Sequence, residues 1–302
     1  MIKLNVARTD TIRQYLEERR IQVDAELDRL LPPAGHYPTS IHQAMRYSVF
    51  AGGKRLRPIL CLEAGRLFGG DEKSLLEVGC ALELVHTYSL IHDDLPALDN
   101  DDLRRGKPTL HRKFGEATAI LAGDALLTLA FEVLSDPGLA PNPQLRVIHE
   151  LSHAIGTRAG MVAGQVVDLE TTGLETDAAT LEYIHSAKTG AFIRAAVRSG
   201  ALCAQAGEAD LARVTVYGEK IGLAFQIADD LLDVLGSQEA LGKAVRKDGR
   251  QKKATYPAVY GVERSQRIAA ELIVEACAAL DPFGDRARRL REVAHYLVAR
   301  TS

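Results

Sequence analysis

The chain has only four cysteines, Cys61, Cys80, Cys203 and Cys277, scattered through 302 residues. Without a CxxC pair or regular spacing they exclude a disulfide framework, and the simplest reading is buried thiols in a reducing cytosol. A basic excess is also missing, because the formal net charge is -3. That excludes a generic nucleic-acid or anionic-membrane binder, so any anionic ligand must be met by local clusters of Lys and Arg. Met1 to Arg20 is charged throughout and has no apolar core of a signal peptide, which points to a cytoplasmic protein. The longest apolar stretch, Ala119 to Leu134, contains Asp124 and Glu132 and reads as a core helix too short and too polar to span a bilayer. Linkers, fixed-period repeats and low-complexity tracts are absent, and the Pro-rich patch Pro137 to Pro143 is loop-sized. One domain over 1–302 follows, with 46% hydrophobic residues to build its core.

Alternating β-branched runs are scarce as well, whereas Ala and Leu recur at helical spacing almost everywhere. The fold class is all-α. Pro58 opens a helix that Gly69-Gly70 closes. The next helix starts near Asp71 to Ser74 and carries Leu75, Val78, Leu82 and Val85 on one face. Further helices are expected at roughly 7–31, 116–135, 143–168, 177–187, 190–206, 209–236, 262–280 and 285–299.

Two acid clusters stand out against this background, Asp93-Asp94-Leu95-Pro96-Ala97-Leu98-Asp99 and Asp229-Asp230-Leu231-Leu232-Asp233. Carboxylates crowded this closely repel one another, and a fold that keeps them usually compensates them with cations. Oxygen-only donors favour a hard ion such as Mg2+, which shares its shell with substrate phosphates. A single cluster is as readily a solvated helix end; two shift the balance. An EF-hand is a poor alternative, since Asp99-Asn100-Asp101-Asp102 lacks the Gly and the terminal Glu. Asp229 and Asp233 are four apart and stack on one helical face. Asp93 and Asp99 are six apart and would diverge by roughly 120° on an ideal helix. Pro96 should break the ladder there and let Asp99 swing back toward Asp93.

Cations flank both clusters. Arg104 and Arg105 follow the first, in the pattern of a diphosphate held by metal on one side and Arg on the other. Lys54 and Arg57, in Gly52-Gly53-Lys54-Arg55-Leu56-Arg57, could serve a second anion at a helix N-terminus, although an ordinary basic turn reads the same way. His86 lies seven residues before Asp93 and points the same way; a satisfied half-buried histidine is an equal alternative. Lys188-Thr189-Gly190, Gln226, Lys243 and Lys253 are weak signals one by one.

Taken in order, from Gly52-Gly53-Lys54-Arg55-Leu56-Arg57-Pro58 through both Asp-rich motifs to Lys253-Ala254-Thr255-Tyr256-Pro257, these residues resemble the trans short-chain prenyl diphosphate synthases, bacterial-type farnesyl diphosphate synthases above all. The resemblance covers nearly the whole chain. It implies a bundle of about ten or more helices around a central cavity, of the isoprenoid synthase type, in a homodimer. It implies that Asp93, Asp99 and Asp229 coordinate Mg2+, with Asp94, Asp230 and Asp233 supporting the metals or their waters. Arg104, Lys188 and Lys243 match positions that hold the allylic diphosphate, dimethylallyl or geranyl. Lys54, Arg57, His86, Arg105 and Lys253 match those that hold isopentenyl diphosphate. Thr189 and Gln226 match positions whose oxygen dipoles lie near the allylic cation.

The chemistry is self-consistent. Cations neutralise the leaving diphosphate, the C–O bond ionises in a dry cavity, and the isopentenyl double bond attacks the allylic C1. The released diphosphate is the natural proton acceptor, in keeping with the lack of any Ser/His/Asp or Cys/His arrangement. In the family, Tyr88 five residues before Asp93, together with the inserted Pro96-Ala97, resembles the pattern that stops at farnesyl diphosphate. Tyr88 sits roughly 7.5 Å deeper than Asp93 but rotated about 140°, whereas Ser89 is rotated only about 40°, so both are candidate chain-length residues. The alternatives are a geranylgeranyl diphosphate synthase, a class I terpene cyclase, which needs no isopentenyl site, and a non-catalytic subunit. Two departures from the family stand out. Arg246 replaces a Gly in Gly242-Lys243-Ala244-Val245-Arg246-Lys247-Asp248, and the C-terminal tail from Val298 has one basic residue, Arg300.

Overall fold

The computed structural model describes residues 2–136, 141–174, 176–241 and 255–299. They are overwhelmingly helical, as the sequence requires, and the only strands among them form one short hairpin. The chain divides into two compact units, Met1–Ile148 with Leu202–Gln205, and His149–Ala201 with Ala206–Ser302.

The first unit contains α1 (Ile2–Leu30), α2 (Thr39–Val49), α3 (Leu56–Leu67), α4 (Glu72–Asp93), the hairpin β1 (Leu103–Arg104) and β2 (Lys107–Pro108), α5 (Leu110–Phe114) and α6 (Glu116–Leu134). Its axis is α4, packed against α1, α3 and α6. Because α4 is buried on every side, from Leu75 and Leu76 through Leu84 and Val85, it needs no polar face. Asp71 caps it, accepting from the Ser74 N–H at 2.9 Å and the Ser74 hydroxyl at 2.8 Å. Pro58 falls in the first turn of α3, and Gly69 (φ 75°) follows that helix, as expected. Close approach of α3 to α4 depends on Gly65: a Cβ there would meet Leu75 Cδ2 at 2.1 Å.

The 119–134 stretch is not wholly core. On α6, Ala119, Ala122, Gly123, Leu126 and Ala130 are buried, while Ile120 and Leu121 are 44% and 59% exposed. Small residues let α4 come close, so two of the bulky ones turn outward. The helix also extends back to Glu116, and at 19 residues it is long and apolar enough to cross a membrane by length and composition, as is α4. Ala119 to Leu134 taken alone understated that length.

The chain continues as α7 (Pro141–Ile155), α8 (Met161–Thr171), α9 (Ala178–Ile184), a π-helical turn (His185–Gly190), α10 (Ala191–Cys203), α11 (Glu208–Leu241), α12 (Tyr256–Tyr260), α13 (Val262–Ala279), a 3-10 turn (Asp281–Ala287) and α14 (Arg288–Val298). In the second unit α11 is the spine, packed against α13 and the π-helical turn. The single helix expected over 143–168 is two. The break runs from Gly156 to Gly160, with Ala159 left-handed (φ 55°) and Gly160 folded so tightly that a Cβ would meet the His153 carbonyl oxygen at 2.6 Å. Cys61 and Cys80 are buried and their thiols are pushed well up by burial, whereas Cys203 and Cys277 are partly exposed.

Candidate active site

Helix α4 ends at Asp93, and the chain then turns sharply. Leu95 N–H donates to the His92 carbonyl at 3.1 Å, and Asp99 N–H reaches back to the Asp93 carbonyl at 2.9 Å. This is the return that Pro96 predicts; Pro96 and Ala97 are exposed on the turn, and Asp93 and Asp99 are half-buried beside each other. Asp94 behaves differently. Only 3% exposed, it accepts from Arg104 Nε at 2.8 and 2.9 Å and from Nη2 at 2.5 Å. Burial raises the Asp94 carboxyl despite Arg104, and the ion pair raises Arg104 against its own burial. Asp94 therefore orients an arginine.

The hairpin explains how neighbouring arginines serve different partners. Arg105 and Gly106 both have positive φ, 53° and 76°, as a two-residue hairpin turn requires. Arg104 on β1 turns to Asp94, while Arg105 lies over the glycine loop: a Cβ on Gly53 would meet its Nη1 at 2.6 Å. Gly53 is doubly required, since its φ of 134° also suits glycine. Burial chiefly lowers Arg105 against the pull of Glu83, with Arg55 and Arg104 adding to the downward shift. Burial, then Arg57, Arg105, Arg104 and Arg55, holds His86 well below the usual imidazole range, so it is neutral near pH 7. The structure thus brings His86, Arg57 and Arg105 together and places Lys54 on the same loop. A cavity of about 40 Å³ opens here, lined in part by Tyr47, His86, Asp94, Arg104, Arg105 and Thr109.

Arg55, assigned no role from sequence, is buried and left-handed (φ 51°), donating to Asp24 at 2.7 Å, Glu83 at 2.8 Å and the Val49 carbonyl at 2.6 Å. It clips the loop in place rather than facing a ligand. A basic run alone could not separate this inward arginine from its neighbours.

Tyr88 is buried, its ring edge-to-face with His92 at 5.7 Å, and burial with the nearby Asp93 raises its hydroxyl. His92 Nε2 lies 3.1 Å from the Ile120 carbonyl, and the ring fills the notch left by Gly123, where a Cβ would meet it at 2.2 Å. Tyr88 and His92 together form a wall against α6. Ser89 is half-buried and donates to the His86 carbonyl at 2.8 Å.

In the second unit, Lys188 and Thr189 sit in the π-helical turn, a geometry frequent at functional sites. Gly164 of α8 makes room for this turn: a Cβ there would meet Lys188 N at 2.3 Å. Lys188 Nζ pairs with Asp168 at 2.7 Å, a partner the sequence did not flag; the spacing Gly164-Gln165-x-x-Asp168 was the available signal. On α11, Gly218, Gly222, Gln226 and Asp230 recur every fourth residue. Gly222 passes Gly190 so closely that a Cβ would lie 2.9 Å from its Cα. Thr189 Oγ1 donates to Gln226 Oε1 at 2.9 Å, and Gln226 Nε2 donates to Asp230 at 3.2 Å. Asp230 is buried and also accepts from His185 Nε2 at 2.9 Å and Tyr256 N–H at 3.0 Å. As with Asp94, its carboxylate accepts from surrounding protein groups. Asp229 is half-buried and Asp233 exposed. Lys243 and Lys253 lie outside the described residues.

Among the described residues no three metal-capable side chains form a closed cluster. Mg2+ characteristically takes one or two carboxylates and completes its shell with water and phosphate oxygens. Asp93 and Asp99 in the first unit, and Asp229 in the second, are half-buried carboxylates of the kind that fits this mode of binding.

An all-α fold with these acid motifs and an arginine-lined pocket defines an enzyme that handles isoprenyl diphosphates, a trans-prenyltransferase. Residues 38–282 match the family model "Polyprenyl synthetase", and the chain belongs to that family. It is 50% identical over 97% of its length, and 85% of the relative's, to a dimethylallyltranstransferase of Fischerella ambigua. It is 47% identical, over 95% of the chain and 96% of the relative, to a geranylgeranyl diphosphate synthase of Cyanophora paradoxa. The crystal structure of an FPP/GFPP synthase from Zymomonas mobilis, without ligand, superimposes with a TM-score of 0.86 at 39% identity, covering 96% of this chain and 99% of that one.

Proposed function

We propose that the enzyme condenses isopentenyl diphosphate head-to-tail with dimethylallyl and then geranyl diphosphate, and stops at farnesyl diphosphate. The observation that carries the product length is the buried Tyr88 ring, backed by His92 in the Gly123 notch of α6. In this reading an aromatic at that depth stops chain growth at C15, before the next isoprene unit.

In this reading His86, Lys54, Arg57 and Arg105 hold the isopentenyl diphosphate, with the neutral His86 donating one hydrogen bond without adding charge. Arg104 and Lys188, with Lys243, hold the allylic diphosphate, each of the first two kept in reach by an acid, Asp94 for Arg104 and Asp168 for Lys188. Mg2+, bound through Asp93, Asp99 and Asp229, supplies the Lewis acidity that makes diphosphate a good leaving group. Thr189 and Gln226 offer oxygen dipoles to the positive carbon, and the departing diphosphate accepts the proton. The enzyme works as a cytoplasmic homodimer, paired through the exposed Ile120 and Leu121 face of α6. The single catalytic domain comprises both units.

The test is incubation of the purified chain with Mg2+, isopentenyl diphosphate and either allylic starter, followed by chain-length analysis. Farnesyl diphosphate supports the reading. Product made from an allylic diphosphate alone would indicate a cyclase, and binding without turnover a regulatory subunit. A second reading, geranylgeranyl diphosphate as product, is favoured by the names of several relatives at 44–47% identity; a C20 product would select it.

A further inference from the structure

The geometry points to Asp230, clamped by His185, as a positioning residue that fixes the direction of the Thr189–Gln226 hydrogen bond and so aims the Thr189 oxygen lone pairs at the reacting carbon. The inference rests on the proposed prenyl transfer and gives Asp230 a role beyond the metal support that the motif implies.

The argument is one of polarity. Asp230 accepts from three donors: Tyr256 N–H at 3.0 Å, His185 Nε2 at 2.9 Å and Gln226 Nε2 at 3.2 Å. His185 has no choice of role. Its Nδ1 is 2.8 Å from the Leu181 carbonyl, which can only accept, and its Nε2 faces the Asp230 carboxylate, so the ring is held between two acceptors. The residues are 4% and 7% exposed, and the Tyr256 ring closes over His185 edge-on at 5.3 Å.

An acceptor-only Asp230 forces Gln226 to present its NH2 group. The other end of that amide, Oε1, must then face Thr189, 2.9 Å away. An amide oxygen cannot donate, so the Thr189 proton is spent on it and the two hydroxyl lone pairs point away from Gln226. The amide orientation, ordinarily ambiguous, is settled by the carboxylate behind it. A hydroxyl held this way meets a developing cation with lone pairs and needs no reorientation during ionisation. The three elements involved, the π-helical turn, α11 and α12, are fixed by the same carboxylate.

The decisive experiment is a double-mutant cycle of Asp230→Asn with Thr189→Val, using geranyl diphosphate and isopentenyl diphosphate. The amide that replaces the carboxylate has a donor of its own; it flips Gln226 and turns the Thr189 proton outward. Asp230→Asn should lower kcat roughly 10- to 100-fold, with little change in KM and no change in the Mg2+ concentration for half-maximal rate. In the Thr189→Val background the same substitution should change kcat by less than about 3-fold. Equal losses in both backgrounds, or a shifted Mg2+ requirement, overturn the assignment. If Asp230→Asn folds too poorly to assay, the cycle is run with His185→Gln, and additivity there is equally fatal. Wild-type turnover is measured first, so an inactive wild type refutes the proposed reaction and not the relay. The relay is then read by NMR: the Gln226 side-chain NH2 protons contact the Tyr256 amide in wild type and the Thr189 methyl in Asp230→Asn. A contact to the Thr189 methyl already in wild type refutes it.

Discussion

Replacing Tyr88 with alanine tests the wall directly. The side chain is 9% exposed and its ring packs edge-to-face on His92, which fills the Gly123 notch of α6. Truncating a buried aromatic to Ala costs about 3–5 kcal/mol, including about 0.5–1.5 kcal/mol for the edge-to-face partner His92. For a chain of this size that is a fall of roughly 5–10 °C in melting temperature. If the ring is the floor, the void it leaves is continuous with the space for the growing prenyl chain. A longer chain should then fill it and recover part of the loss. Geranylgeranyl diphosphate at a hundred times its Kd would restore about 2.7 kcal/mol, whereas farnesyl diphosphate, too short to reach, should favour the variant less than the wild type. Two assays follow, product distribution by mass spectrometry and thermal shift with each diphosphate. The expected result is a shift from C15 to C20 together with preferential stabilisation by the C20 ligand. A variant that loses stability, still makes C15 and is stabilised equally by both ligands would show that Tyr88 is packing alone.

Gly164→Ala places a Cβ 2.3 Å from the Lys188 backbone nitrogen, so the π-helical turn must shift; activity should fall at least 10-fold with a raised KM for the allylic substrate, measured by steady-state kinetics. Glu72 is held down to about 2 by hydrogen bonds from Arg66 and Gln22, so it stabilises the fold above about pH 4.5 and stops doing so as pH falls toward 2. Glu72→Gln should therefore melt lower than wild type at pH 6, with the gap closing through that window. Leu121→Glu on the open face of α6 should convert a dimer to a monomer in sedimentation, at little cost to the melting temperature of the subunit itself.

Much of this was legible in the residues. Helical spacing located most helices, and Pro96 correctly foretold that Asp99 would return to Asp93, because a break in the ladder is a local matter. Gly156-Thr157-Arg158-Ala159-Gly160 carries two glycines, a break signal outweighed by the helical apolar spacing on either side, so 143–168 reads as one helix where the chain folds as two. The other misses are tertiary. In both acid motifs the sequence treats adjacent aspartates alike. Asp94 and Asp230 are distinguished only by what waits behind them, Arg104 ten residues on and His185 forty-five residues back. His185 carried no signal by type, and Asp168 only that of its spacing from Gly164-Gln165; their partners Asp230 and Lys188 show their use.

The hairpin turn at Arg105-Gly106 has a further consequence, for how this segment can evolve. With just two residues in the turn, the pairing Leu103 with Pro108 and Arg104 with Lys107 fixes which arginine reaches Asp94 and which reaches Gly53. Inserting or deleting one residue would exchange the faces of the strand and strip both guanidinium groups of their partners at once. Around Arg104, Arg105 and Gly106, which must stay, the stretch from Asp101 to Thr109 can therefore change by substitution far more readily than in length.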